Sequence, residues 1–266
     1  MESTLYNSKL IKIPEFYGQK IFPKISKLRG TTRAKDILRK LFVKLITSKE
    51  KDCYTLFIDK KNVRKIKNIE DIAKYVGIEY SQSIKMIDSI SSNSIVYDIG
   101  GYHGYHTILG TLGKKVYTFE PGPENLKILK ENISLNPEQD ILLIEKPVWD
   151  KEEKITIVTG KKGKSHIGEE GLTKEAVTLD QFVFKEKNSP PDFMKIDVEG
   201  AEYKVLKGAE KVLEKYKPKL MIEVHKGERI QQIGGSEKEL VKLLRSKGYN
   251  TIKEIKRGKE THLFLE

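Results

Sequence analysis

The sequence predicts an α/β fold: a mostly parallel sheet covered on both faces by helices, closed by an antiparallel carboxyl-terminal hairpin and preceded by a mainly helical extension. Three observations predict it. From about residue 94, short apolar runs alternate with stretches of helical spacing, the rhythm of βαβ units. The last segment, "NTIKEIKRGKETHLFLE", reads as two strands joined at "RGKE". The charge is unevenly placed: the 266 residues carry a net +12, with 20 Lys and Arg against 10 Asp and Glu in residues 1–90 and 30 against 28 in the rest. Residues 1–92 are therefore expected to be a separate basic region, for recognition or packing, and residues 93–266 the functional domain.

In order, "SIVYDIG" reads as a buried strand, "YHTILGTLG" as a short helix ending at Gly113, and "KKVYTFE" as a second strand. "PENLKILKENISLN" has Leu126, Ile128, Leu129 and Ile133 at helical spacing and begins at Pro123. "ILLIEKPVW" is a third strand and "KITIVTG" a short one. The Gly- and Lys-rich "KKGKSHIGEEGLTKE" is expected to be a loop, a mobile lid over the site. "FMKIDVEG" and "PKLMIEVH" are strands, and "SEKELVKLLRSKG" is a helix. Between the two strands, "AEYKVLKGAEKVLEKY" reads as one helix burying Val205, Leu206, Ala209 and Leu213, its charges on a solvated face.

The basic region is less regular. "TTRAKDILRKLFVKLITSK" predicts an amphipathic helix bearing Arg33, Arg39, Lys40 and Lys44. "YTLFIDKKNVRKIKN" predicts a strand and a basic turn, and "DIAKYVGIEYSQSIKMIDSI" one or two helices. No internal repeat is present. The single cysteine, Cys53, excludes an internal disulfide and suits a reducing compartment. No apolar run approaches a bilayer span, and "MESTLYNSKL" lacks a signal peptide's apolar core, so a soluble cytoplasmic protein is expected.

The glycine-rich "VYDIGGYHGYH" joins the first strand to its helix. Glycines there let the backbone approach a ligand, and a helix amino terminus favours negative charge. The dinucleotide spacing G-x-G-x-x-G fails, because Tyr102 occupies the next glycine slot. The order Asp98-x-Gly100-x-x-x-Gly104, with Gly101 inside it, instead suits a ligand with a cationic amino-acid end. Glu120, ending the second strand, can take both hydroxyls of a ribose. Together these acids and glycines describe an adenosyl-amino-acid site.

Five ordered blocks, "VYDIGGYHGYHT", "FEPGPENLKILKENISLN", "VTLDQF", "MKIDVEGAEYKVLKGAEKVL" and "LMIEVH", resemble the FkbM-type family of S-adenosylmethionine-dependent methyltransferases over residues 94–225. The resemblance implies the Rossmann-like, seven-stranded sheet of class I methyltransferases and S-adenosyl-L-methionine as cofactor. It implies that Asp98, Gly100, Gly101, Tyr102 and Gly104 hold the methionine part and that Glu120 and Pro121 face the ribose. Val148 would lie near the adenine, and Asp197 would complete the cofactor set. The family usually has Asn where this chain has Tyr102, so the side-chain contact there is open. Thr178 and Asp180 read as helix caps rather than ligands.

Asp197 and Glu199 in "KIDVEG" are two apart on an expected strand and so share a face; the same holds for Glu223 and His225 in "MIEVH". Both pairs fall at the carboxyl ends of strands, where open α/β sheets bind ligands. Transfer of a methyl group to a hydroxyl calls for a base near neutral pH. His225 is the candidate, with Glu223 or Glu199 orienting it or the substrate. A structural Glu223–His225 pair is one alternative. A divalent metal on the carboxylates and His225 is another, ranked lower because no tight ligand motif supports it, so no metal is assigned. His103 and His106 are expected to have surface or packing roles and His262 a structural one. His166 lies in the lid, and Trp149 reads as core.

The expected activity is O-methylation of a hydroxyl on a small molecule or glycan. The alternatives are methylation of RNA through basic residues 1–90 and a non-catalytic cofactor-binding protein. The basic helix also allows peripheral contact with a membrane. Oligomeric state is not legible.

Overall fold

A computed structural model describes residues 47–50, 53–57, 63–67, 80–159, 165–225, 233–250, 252–257 and 260–266. Three short strands, β1 (Thr47–Glu50), β2 (Cys53–Phe57) and β3 (Val63–Ile66), form an antiparallel meander, and helix α1 (Tyr80–Ser89) follows. Of the mainly helical region expected over residues 1–92, the described residues thus show one helix and one small sheet. The expected amphipathic helix lies outside them, except that Thr47, Ser48 and Lys49 belong to β1. The basic turn contains a second strand, β3, which pairs antiparallel with β2 and is held on its other side by a side chain. Lys65 N–H donates to Asn136 Oδ1 and Asn136 Nδ2 donates to Lys65 O, both at 2.8 Å.

The alternation predicted from residue 94 is present. Strands β4 (Ile95–Ile99), β5 (Lys115–Phe119) and β6 (Ile141–Ile144) are linked by α2 (Tyr105–Gly110) and α3 (Pro123–Ser134). A second antiparallel sheet follows, of β7 (Lys154–Thr159), β8 (Ser165–Ile167) and β9 (Leu172–Glu175). This corrects the expected lid: His166 pairs with Val158 in a strand, and residues 160–164 lie outside the described set. Then come α4 (Leu179–Phe184), β10 (Phe193–Ile196), α5 (Glu202–Lys207), α6 (Glu210–Tyr216), β11 (Lys219–Val224) and α7 (Glu237–Ser246). The hairpin β12 (Ile252–Arg257) and β13 (Glu260–Leu265) completes the sheet.

The seven-stranded sheet has the order β12-β13-β11-β10-β4-β5-β6, and β13 alone runs against the others. The chain winds outward from β4 and then returns to β10, so the order reverses between these two. Their carboxyl ends border a crevice that no crossover helix covers. Tyr97, Phe119, Phe182 and Ile196 are buried in the core beneath that edge. Thr178 caps α4 by accepting from Gln181 N–H, and Asp180 accepts from Lys211 and Val212 N–H at the start of α6. Both act as caps, as their sequence positions imply.

Residues 201–216 are two helices, where the sequence predicted one. The break lies at Gly208, whose carbonyl accepts from Asp180 N–H. A Cβ at Gly208 would lie 1.9 Å from the Trp149 carbonyl oxygen, so β6's continuation presses directly on the helix backbone. With φ at −75°, Gly208→Ala elsewhere would gain stability through the unfolded chain. Here backbone meets backbone, and the clash outweighs that gain: the substitution should lower unfolding free energy by about 1–3 kcal/mol in denaturant titration.

Candidate active site

At the end of β4 the chain turns through the glycine loop. Gly100 and Gly101 N–H both donate to Phe119 O, at 2.9 and 3.0 Å, which stitches the loop to β5. Gly100 has φ +87°, and a Cβ there would lie 1.8 Å from Asp197 O. Only glycine satisfies both constraints. Tyr102 also has positive φ, at 49°, unfavourable for a bulky residue. Its ring stacks on His103 at 3.8 Å, and its N–H donates to Glu120 Oε2 at 2.8 Å.

Glu120 is buried. Oε1 accepts from Gly122 N–H (2.7 Å) and from Asn125 Nδ2 (3.1 Å), while Oε2 accepts from Tyr102 N–H. Burial pushes its carboxyl up, against these three hydrogen bonds. Pro121 follows it, half-buried, at the turn into α3. The loop is braced from outside as well: Asn132 Nδ2 donates to His103 O (2.7 Å), and Lys67 N–H donates to Asn132 Oδ1 (2.8 Å). Asn132 therefore joins the meander to the glycine loop, and the basic region is not independent of it. Val148 forms an isolated bridge with Val177 and buries its side chain in the main core. Trp149 is core too, donating Nε1–H to Glu153.

Asp98 does not face the crevice. It is fully buried, accepts from Thr107 Oγ1 at 2.6 Å, and stands 3.3 Å from Lys195 Nζ. Lys195 was missed by sequence reasoning. It sits on β10 in register with Asp98, is 4% exposed, and donates to Gly100 O at 2.7 Å, with Asp197 Oδ2 at 3.6 Å. Burial opposes its charge, but Asp98, Asp197 and Glu223 outweigh burial and hold Lys195 charged. The available signal was a lysine inside "FMKID", a run otherwise fit for burial on both faces, since buried lysines occur when paired.

The expected quartet of Asp197, Glu199, Glu223 and His225 does assemble, by a different route. Strand β10 ends at Ile196, so Asp197 and Glu199 lie in the following turn, with Glu199 at φ +52°, rather than on one strand face. His225 Nε2 stands 3.5 Å from Glu199 Oε2 and 3.9 Å from Glu223 Oε1. Its Nδ1 donates to Glu202 Oε1 at 2.9 Å. Glu202, fully buried in the first turn of α5, also accepts from Gly200 N–H. The orienting partner is therefore Glu202, one of the charges assigned to a solvated face.

The protonation of His225 also departs from expectation. Burial disfavours its charge, but the Glu202 hydrogen bond and the charges of Glu202, Asp197 and Glu199 outweigh burial and push it up to about 10. This arrangement favours the charged ring, the form that holds its proton rather than taking one.

Beside the quartet lies a narrow cleft with about 10 Å³ of room, enough for about one water, lined by Gln82, His106, Lys195, Asp197, Glu223 and His262. His262 reaches it because the reversed strand β13 sets it opposite Glu223 on β11, Nδ1 to Oε2 3.8 Å. His106 reaches it from α2. Both are buried, His106 at 6% and His262 at 3% exposure, as a packing and a structural histidine would be, and both also border the cleft.

Comparison with known proteins bears on this site. Residues 98–251, more than half of the chain, match the model of the methyltransferase FkbM domain. The chain belongs to the FkbM methyltransferase family. It is an enzyme, a methyltransferase. Over 168 residues it is 24% identical to the hexuronic acid methyltransferase AglP of Haloferax volcanii, covering 61% of this chain and 70% of that one. A solved FkbM methyltransferase from Methylobacillus flagellatus superposes with a TM-score of 0.49 at 14% identity, covering 87% of this chain and 59% of that one. An rRNA methylase from Streptococcus thermophilus superposes at 0.46 with 17% identity, covering 71% and 95%. The FkbM match takes in the glycine loop, Glu120 and the whole acidic quartet. Among the described residues, no helix is long and apolar enough to cross a membrane.

Two measurements test the electrostatics of this FkbM domain. Lys195→Met should cost about 3–5 kcal/mol in denaturant unfolding by leaving Asp98 buried without its cation, and adding Asp98→Asn should recover part of that loss. The second concerns His106, whose burial, with Lys195 next to it, lowers its pKa to about 3 from the ordinary 6.5. A depressed folded pKa means that the stability from neutral His106 is complete above 6.5 and is lost as pH falls toward 3. His106→Asn should therefore cost about 2 kcal/mol less at pH 5 than at pH 7. An equal cost at both pH values would show that His106 titrates normally.

Proposed function

We propose that this enzyme transfers the methyl group of S-adenosylmethionine to a hydroxyl of a sugar, with hexuronic acid residues as the first acceptors to test. The observation that carries the reading is the cleft's lining. The polar side chains of Gln82, His106, Asp197, Glu223 and His262 border the cleft together with Ile196 and Met221, so hydroxyl-bearing and apolar faces of a sugar ring both find a match. The relative from Haloferax volcanii supports the acceptor class.

The residues present fit the cofactor by their chemistry. Glu120 Oε2 accepts a single hydrogen bond, from Tyr102 N–H, so it retains capacity for a ribose hydroxyl. Gly100, Gly101 and Gly104 would take the methionine part against the loop backbone, and Pro121 would flank the nucleoside, with Val148 in the core behind it. When bound, the cofactor supplies a methyl group activated by a sulfonium sulfur. The protein's task is to hold the acceptor hydroxyl and take its proton. With His225 charged and bound to Glu202, that proton passes to a carboxylate at the cleft. Lys195, tied to Gly100 O and Asp197, keeps the glycine loop and the acceptor cleft in one fixed relation. RNA remains the rival acceptor, on the charge excess of residues 1–90.

Incubation with radiolabelled S-adenosylmethionine and oligosaccharides, with or without hexuronic acids, is expected to label the sugar hydroxyl. Glu120→Gln should weaken binding of both cofactor and demethylated product by about 10- to 100-fold in calorimetry, the cost of a charged hydrogen bond. Label entering RNA alone, with steep salt dependence, would replace the sugar reading.

A further inference from the structure

We propose that Asp197, Glu223 and His225 form a binding site for one divalent cation, which holds the acceptor oxygen; this deepens the sugar-hydroxyl reading above and rests on it for the acceptor alone. One ligand atom from each of the three lies within 4.8 Å of the others. Two ligands of one ion, each about 2.2 Å from it, span at most about 4.4 Å. Small side-chain rotations therefore close the set.

The second, independent observation is His225 itself. It is 6% exposed, and its Nε2 makes no hydrogen bond although it is buried among carboxylates. Its other nitrogen donates to Glu202, a fully buried carboxylate held in turn by Gly200 N–H. That bond fixes the ring so that Nε2 faces Glu199 and Glu223, and a cation bound at Nε2 would take the place of its proton. A histidine that binds a metal through one nitrogen characteristically gives the other N–H to a carboxylate in this way.

Charge points in the same direction. Asp98, Asp197, Glu199, Glu202 and Glu223 bring five carboxyl groups to this edge, against two cationic groups, Lys195, already held by Asp98 and Gly100 O, and the His225 ring. An acidic sugar entering beside them would be repelled unless a cation lay between. A divalent ion on Asp197, Glu223 and His225 supplies that cation and lowers the pKa of a hydroxyl bound to it. Glu199, on the Nε2 side of His225, is then in position to receive the proton. Carboxylate oxygens with one imidazole suit Mn2+, which is therefore the probe.

The test uses the full chain stripped with chelator and titrated with Mn2+, without cofactor or acceptor, while free Mn2+ is followed by electron paramagnetic resonance. One ion should bind per chain. Asp197→Asn and Glu223→Gln should each weaken it at least tenfold and Glu202→Gln by about 10- to 100-fold, while Glu138→Gln, exposed and outside the cluster, should leave it unchanged. Thermal unfolding of the unmodified protein guards against variants that fail to fold: Mn2+ should raise Tm and chelator reverse the rise. No stoichiometric binding, no rise in Tm, or full affinity in folded Asp197→Asn and Glu223→Gln proteins would overturn the site. Because the readout needs neither sugar nor methyl transfer, a failed sugar assay leaves the metal site standing, and a metal-free protein that labels sugars removes only the site.

Discussion

A single buried ammonium organises this molecule. Lys195 Nζ lies where the strand order reverses and touches three things at once: the Gly100 carbonyl, Asp98 on the neighbouring strand, and Asp197 in the turn beyond its own strand. A lysine taken out of water there would be costly alone, and so would Asp98. Each makes the other tolerable, and the pair sets the glycine loop against the β10 turn. The close approach of Gly100 to the Asp197 carbonyl is the steric counterpart of the same constraint. Loop and cleft therefore belong to one junction.

A second tie runs from the loop outward. Glu120 holds Tyr102 in its left-handed conformation, and Asn132 holds the His103 carbonyl. Asn is favoured over Tyr at such positions, so here the hydrogen bond to Glu120 and the stacking on His103 must offset backbone strain. Asn132 on α3 and Asn136 just past its end also bind the backbone of Lys65 in β3 and of Lys67 just after it. Lys65 and Lys67 thereby buttress the loop through the buried amides of Asn136 and Asn132.

The acidic turn after β10 completes the centre. Five carboxyl groups around Lys195 and His225 are too many for a purely structural network in which each charge has its own counter-charge. A methyltransferase of the FkbM family can use that excess to hold a cation or to take a proton. In both cases Glu202 matters because it fixes the ring of His225.

The sequence by itself determined the elements whose information is local. The alternation of strands and helices, the closing hairpin, the glycine loop, Glu120 and the caps at Thr178 and Asp180 follow from spacing, turn chemistry and capping, and each reads over a few neighbouring residues. The four polar residues at the sheet edge were also legible, because alternation puts Glu223 beside His225's strand end and the "KIDVEG" turn beside it. What only the tertiary structure decided depends on partners far along the chain. Lys195 meets Asp98 from 97 positions away, Glu202 meets His225 from 23, and Gly208 is broken by a carbonyl at Trp149. Glu202 looked like a solvated helix charge because helical periodicity reports a face and not what covers it. His262 looked structural because the pairing that faces it to Glu223 exists only once β13 is laid antiparallel on β11. The protonation of His225 was illegible for the same reason: a pKa is set by surrounding charges, and these come from residues 197–202, which only the fold brings against the end of β11.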